Sequence, residues 1–295
     1  MTFAAWLATC ETTLALQTSA RLRQARVGEH RSVQSGNGLR VRHHEEYRPG
    51  DPRRHIDWKA SRKEQTLLLR RFEAERQLDV IVVCDLSASM AFGRHLSKYR
   101  LAVDCAGLLG LATLRQGDAF GLIAFAADVV AYFPPRRRRE AVLQTLEYLW
   151  SYEPLEQASG ATWFAPVLRY LAAHTPALVC ILSDFRMPDW EAGLDVLSAT
   201  HDTIAVSIED AAESCLEGLG LIAVRDLESG QWVELDTASA AYREAYHRQM
   251  LAERTTRQQI LQRCCGMQYL MAAHSTDYHG DLIRLFLARS ARTWV

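Results

Sequence analysis

Long apolar runs are missing from this 295-residue chain, and with no stretch of about 18 consecutive apolar residues no membrane-spanning helix is expected. The first twenty residues contain Phe3, Trp6, Leu7, Leu14 and Leu16, but they lack a basic start and are interrupted by Glu11. They read as an amphipathic helix, not as a signal peptide. Paired cysteine spacing is missing too. The seven cysteines are odd in number, with Cys84 and Cys180 inside apolar runs, Cys105 in a helical pattern, and Cys264 next to Cys265. Buried, reduced thiols in a cytoplasmic protein are the expectation. Several catalytic signatures are absent. There is no Gly-x-x-x-x-Gly-Lys-Ser/Thr loop, no Gly-x-Ser-x-Gly elbow, no His-Glu-x-x-His and no Cys-x-x-Cys. The chain is therefore not expected to be an enzyme.

What is present is ordinary for a globular protein, with 48% hydrophobic and 23% charged residues. The net charge of −1 is unevenly spread, however. Residues Arg21 to Arg76 carry 15 Lys/Arg against 8 Asp/Glu, a local +7, which leaves −8 for the remainder. A basic first part facing an acidic surface, in this chain or on another molecule, follows from that asymmetry. The basic residues alternate with carboxylates, so they form no evenly positive stripe of the kind nucleic acid requires.

The chain divides at residue 77. Residues 1–27 read as helical, and Gly28 to Arg76 is irregular, broken by Gly36, Gly38, Pro49, Gly50 and Pro52, with a short strand-like stretch from Thr66 to Phe72. Residues 78–295 then alternate strand-like and helix-like runs. Val80-Ile81-Val82-Val83-Cys84 is the continuous, largely β-branched run of a strand buried on both faces. Strands are expected at 119–125, 129–133, 177–182, 203–208 and 267–272, and a hairpin near 220–236. Helices are expected at 98–116, 136–150, 163–174, 189–200, 240–264 and 281–289. This alternation predicts an α/β fold with a doubly wound, mostly parallel sheet, preceded by a helical and irregular basic segment.

Ligands of such sheets collect where loops leave the carboxyl ends of the strands. Three polar loops fall there or between elements: Asp85-Leu86-Ser87-Ala88-Ser89, Ser159-Gly160-Ala161-Thr162 and Ser183-Asp184. They offer carboxylate and hydroxyl oxygens, without thiol or imidazole, which suits Mg²⁺ or Mn²⁺ better than Zn²⁺. The competing reading is that Asp85 and the serines cap the next helix.

The spacing resembles the metal-ion-dependent adhesion site of von Willebrand factor A domains. The resemblance implies that Asp85, Ser87, Ser89, Thr162 and Asp184 surround one Mg²⁺ or Mn²⁺. A second resemblance spans almost the whole chain. Gly36-Asn37-Gly38, Tyr47-Arg48-Pro49-Gly50-Asp51, Arg54-His55-Ile56-Asp57-Trp58-Lys59, Leu69-Arg70-Arg71-Phe72-Glu73 and Lys98 are similar to the bacterial family called domain of unknown function 58. That family joins such a segment to a von Willebrand factor A domain. It implies a protein-binding module that acts with a MoxR-type AAA+ ATPase, or its client, in protein maturation or complex assembly. Asp210-Ala211-Ala212-Glu213 departs from the Asp-Pro-x-Glu of relatives, and no role is assigned to it.

Arg48, Asp51, Arg54 and Asp57 alternate in charge around Pro49-Gly50, with Trp58 next. Such a segment serves either to dock a partner or to brace the fold. Bracing is preferred, through arginine–carboxylate pairs with Trp58 as apolar anchor. His43-His44-Glu45-Glu46 places at most two of its four side chains on one face of a strand, so a solvated or edge-strand role is expected in place of a metal site. The alternatives to a metal-dependent binding module are a metal-dependent hydrolase using the Asp85 site, and nucleic-acid binding through the basic segment. A phosphoryl-transfer enzyme would want a second carboxylate near Asp85, and position 87 is serine.

Overall fold

β-Branched residues at consecutive positions pack best when both faces of a strand are covered, and β3 (Asp79–Asp85) lies near the middle of a six-stranded sheet. In the computed structural model, described over residues 2–12, 35–48, 51, 53, 56–73, 78–153, 164–187, 190–225, 231–265 and 267–272, the chain forms two compact units. One comprises residues 1–17 and 78–295, the other 18–77.

In the larger unit the strand order is β10-β7-β6-β3-β4-β5, where β4 is Ala119–Phe125, β5 Val129–Arg136, β6 Leu178–Ser183, β7 Asp202–Glu209 and β10 Met267–Ala272. All neighbours are parallel except β4 and β5, which form an antiparallel hairpin. Side chains alternate between two cores. Val80, Val82 and Cys84 join one with α3 (Lys98–Gln116) and α4 (Arg139–Ser151). Ile81 and Val83 join the other with α5 (Phe164–Leu171), α6 (Trp190–Thr200) and the end of α7 (Ala240–Cys264). The sheet is thus α/β and mostly parallel, with helices on both faces.

Residues 3–12 are helical (α1) and belong to this unit, not to the basic segment with which the sequence grouped them. Trp6 is the reason. Its indole Nε1 donates to Asp104 Oδ1 at 2.6 Å, and its ring lies 4.9 Å from that of Trp150. A Cβ at Gly107 would come within 2.6 Å of the Trp6 ring, so α3 needs glycine there for α1 to approach. α3 ends as capping rules require, with Gly117 in the left-handed conformation, φ 77°.

The helix expected from Arg136 starts three residues later, because β5 continues through Pro134-Pro135. As an edge strand β5 tolerates prolines that lack a donor. A two-stranded antiparallel sheet, β8 (Leu221–Arg225) with β9 (Trp232–Asp236), forms the expected hairpin. All seven cysteines are free, six of them buried and Cys215 exposed. The helix expected at 281–289 lies outside the described residues.

The smaller unit is more regular than its sequence promised. β1 (Ser35–Glu46) pairs antiparallel with β2 (Leu68–Glu73), with two register shifts, and α2 (Trp58–Glu64) lies between them in the chain. Leu39 and Val41 are the only apolar residues of β1, too few for an alternating pattern to stand out.

Candidate metal centre

The order of the strands decides where a crevice opens. From β3 the chain winds to β4 and β5 on one side and then returns to β6 on the other, so β3 and β6 flank the point where the winding reverses. Asp85 ends β3, while Ser183 ends β6 and precedes Asp184. Parallel pairing of Cys84 with Leu182 sets these termini side by side.

Asp85 is fully buried. Its Oδ1 accepts from the Ser87 amide at 2.8 Å, and its Oδ2 accepts from the Ser183 hydroxyl at 2.6 Å. The first bond turns the loop. It brings Ser87 and Ser89 onto a 3₁₀ turn (Ala88–Ala91), with their hydroxyls 3.1 Å apart. Among the described residues no lysine or arginine forms an ion pair with Asp85. Burial, reinforced by the negative charge of Asp184, raises its pKa to about 7 against the pull of the Ser183 and Ser87 hydrogen bonds.

Asp184 is the opposite case. Burial would raise its pKa too, but the Lys98 ammonium, with help from Ser89, outweighs burial and holds the carboxyl below the usual range. Lys98 Nζ donates to Asp184 Oδ2 at 2.6 Å and to Glu213 Oε1 at 2.6 Å, with no part of the lysine side chain exposed. Asp184 Oδ1 accepts from the Arg186 amide at 3.2 Å. Phe185, between them, adopts the left-handed conformation at φ 52°. That is uncommon for a bulky residue and is the kind of strain concentrated at functional sites.

The structure therefore brings together Asp85, Ser87, Ser89 and Asp184, four of the five residues expected around a metal. Thr162 lies outside the described residues. Sequence reasoning missed four participants. Ser183 was visible as half of the Ser-Asp doublet ending a strand. Lys98 was noted only as part of a family pattern. Asp210 and Glu213 carry the Asp-x-x-Glu spacing of a capping box, which they form around the short 3₁₀ turn Ala211–Glu213. Asp210 Oδ2 also accepts from the Arg94 amide at 3.1 Å.

The donor set fits a hard dication. Asp85 is a buried carboxylate beside two hydroxyls, with its ionised form disfavoured until positive charge arrives. Among the described residues no group of three or more His, Cys, Asp or Glu side chains forms a metal cluster. Any cation here would rest on one or two carboxylates and on hydroxyls.

In the basic segment two carboxylates hold backbone amides. Asp51 Oδ2 accepts from the Arg48 amide at 3.0 Å, and Asp57 Oδ1 caps α2 through the amides of Lys59 and Ala60, each at 3.1 Å. These carboxylates fix backbone. Trp58 is not an anchor, being 66% exposed; Ile56, bridged to the buried Leu69, takes that place. Trp58 occupies the first position of α2. Arg54 lies outside the described residues.

Comparison with known proteins matches residues 43–256 to the family described as "Protein of unknown function DUF58". Uncharacterized proteins of Mycobacterium bovis and Mycobacterium tuberculosis are each 26% identical over 292 residues, covering 96% of this chain and 90% of theirs. Among solved structures, an aerotolerance-related membrane protein from Bacteroides fragilis aligns with TM-score 0.47 and 15% identity, over 72% of this chain and 99% of that one. PilB minor pilin from Streptococcus sanguinis aligns with TM-score 0.37 and 12% identity, over 77% of this chain and 64% of that one. Among the described residues no helix is long and apolar enough to cross a membrane.

Proposed function

The chain belongs to the DUF58 family, and from that premise we propose that it is a protein-binding module of the von Willebrand factor A type whose adhesion depends on Mg²⁺ or Mn²⁺. The observation that carries this reading is Asp85, fully buried at a strand end, beside hydroxyls and a second carboxylate, with no cationic side chain paired to it among the described residues. Asp85, Ser87 and Ser89 would hold the cation directly, with Thr162, and with Asp184 through water, completing the set. The bound ion would supply a positive centre able to accept an anionic oxygen.

The protein's own residues prepare that centre. The Ser87 amide and Ser183 hydroxyl fix both oxygens of Asp85, so the carboxylate is oriented before any ligand arrives. Leu86 and Met90 are buried within the core, which anchors the loop from below. The Lys98 ammonium offsets the carboxylates beside the site, so a carboxylate from a partner adds attraction that partial burial strengthens. The partner we propose is a MoxR-type AAA+ ATPase or its client, in protein maturation or complex assembly. Among the described residues no general base accompanies Asp85, because the neighbouring Asp184 is already paired with Lys98. Binding is therefore the better-supported role than hydrolysis.

The test is the affinity of the chain for such an ATPase in Mg²⁺ and in EDTA. Binding is expected to need the metal, to fail in Asp85→Ala, and to fail when one acidic residue of the partner is neutralised. Equal affinities in Mg²⁺ and EDTA would make the loop a structural cap.

A further inference from the structure

We propose that Lys98 sets the charge of this site: a resident ammonium that competes for Asp184 and leaves Asp85, among the described residues, as the single carboxylate free to take an incoming dication. The proposal rests on the metal reading above and concerns what sets the charge of that site.

Lys98 opens α3 and sends its whole side chain inward, where a lysine is tolerated only if its charge is met. Two carboxylates meet it, Asp184 and Glu213, each at 2.6 Å. Glu213 is itself held from several directions. Its other oxygen faces Arg186 at 3.5 Å and accepts from the Asp210 amide at 3.3 Å, while its carbonyl accepts from the Tyr246 hydroxyl at 2.9 Å. An acid so restrained keeps the ammonium where it is. Lys98 is therefore pinned beside Asp184 by a residue that is outside the expected ligand set.

The consequence is electrostatic. Asp184 Oδ2 is engaged by Lys98, and its Oδ1 by the Arg186 amide, so its negative charge is largely neutralised. A dication then meets one carboxylate, Asp85, together with the Ser87 and Ser89 hydroxyls and a nearby positive charge. It binds weakly through the protein alone and keeps surplus positive charge for an external anion. Without Lys98, both aspartates would face the ion, which would bind more tightly and retain less charge for a partner.

The experiment titrates Mn²⁺ alone into metal-free full-length chain, by calorimetry and by the electron paramagnetic resonance signal of free Mn²⁺. The wild type is compared with Lys98→Met, Lys98→Arg and the double variant Lys98→Met/Asp184→Asn. Lys98→Met should bind Mn²⁺ at least about tenfold tighter, because one nearby like charge is removed. Mn²⁺ should also raise its melting temperature more than that of the wild type. Lys98→Arg should restore the wild-type affinity, and the double variant should lose the gain. If Lys98→Met does not fold, Lys98→Gln, which keeps an amide donor beside Asp184, carries the same expectation. Wild-type binding that is unchanged or weakened by loss of the ammonium overturns the competition while leaving the metal reading intact. Mn²⁺ binding in no variant removes the metal reading and this proposal together.

Discussion

The strand-end cluster around Asp85 and the turn-and-helix segment around Asp57 use the same residue types to opposite ends. At Asp57 the carboxylate caps a seven-residue helix through two amides, and the adjacent Trp58 lies open to solvent. At Asp85 the carboxylate is sealed from water, and its partners, Ser87 and Ser183, are neutral. The difference teaches that burial, not residue type, turns an aspartate from a local fastener into a demand for charge. Within the cluster the contrast repeats, since Asp184 has its cation in Lys98 and Asp85 has none among the described residues.

The largest effect should come from breaking the buried ion pairs of Lys98. Lys98→Met leaves Asp184 and Glu213 facing each other without the ammonium, and a loss of about 3–5 kcal/mol is expected in chemical denaturation of metal-free protein. Equal stability would mean that water reaches these carboxylates. Next comes pH. The fold raises the Asp85 pKa to about 7, so it favours the protonated acid. The stability this contributes is present below the ordinary aspartate range and is lost as pH rises through about 7. Metal-free protein should melt at lower temperature as pH climbs through that window, and Asp85→Asn should flatten the slope. A smaller change belongs to the other region: Asp57→Ala removes a helix cap and should cost about 1 kcal/mol, leaving metal affinity untouched. Smallest of all, Trp58→Ala should alter stability by no more than about 0.5 kcal/mol, as expected for an exposed side chain. A large loss there would restore Trp58 as an anchor.

Much of the fold was legible because burial on both faces leaves a plain mark. Val80 to Cys84 and Ala177 to Leu182 are continuous apolar runs, and α3, α7 and β10 begin and end at the expected residues. β1 and α2 were hidden for the converse reason. A strand with two apolar residues and a helix carrying Lys59, Arg62 and Lys63 give no periodic signal. The grouping of Asp85, Ser87, Ser89 and Asp184 was legible because the strands that they end or follow were. Lys98 and Glu213 were not, since a buried ion pair joins positions 115 residues apart and nothing local to either marks the other. The Asp210–Glu213 capping box was readable as a turn, but its second use, holding the lysine, depends on the sheet bringing the end of β7 near the start of α3.

The central claim is that Asp85 waits for a divalent cation. Calorimetric titration of Mg²⁺, and separately Mn²⁺, into metal-free full-length protein tests it most directly, with Asp85→Ala as the comparison. The account predicts one site in the wild type and none in the variant, whose fold persists by circular dichroism. Equal binding by the two proteins would contradict it, and so would a folded wild type that takes up neither ion.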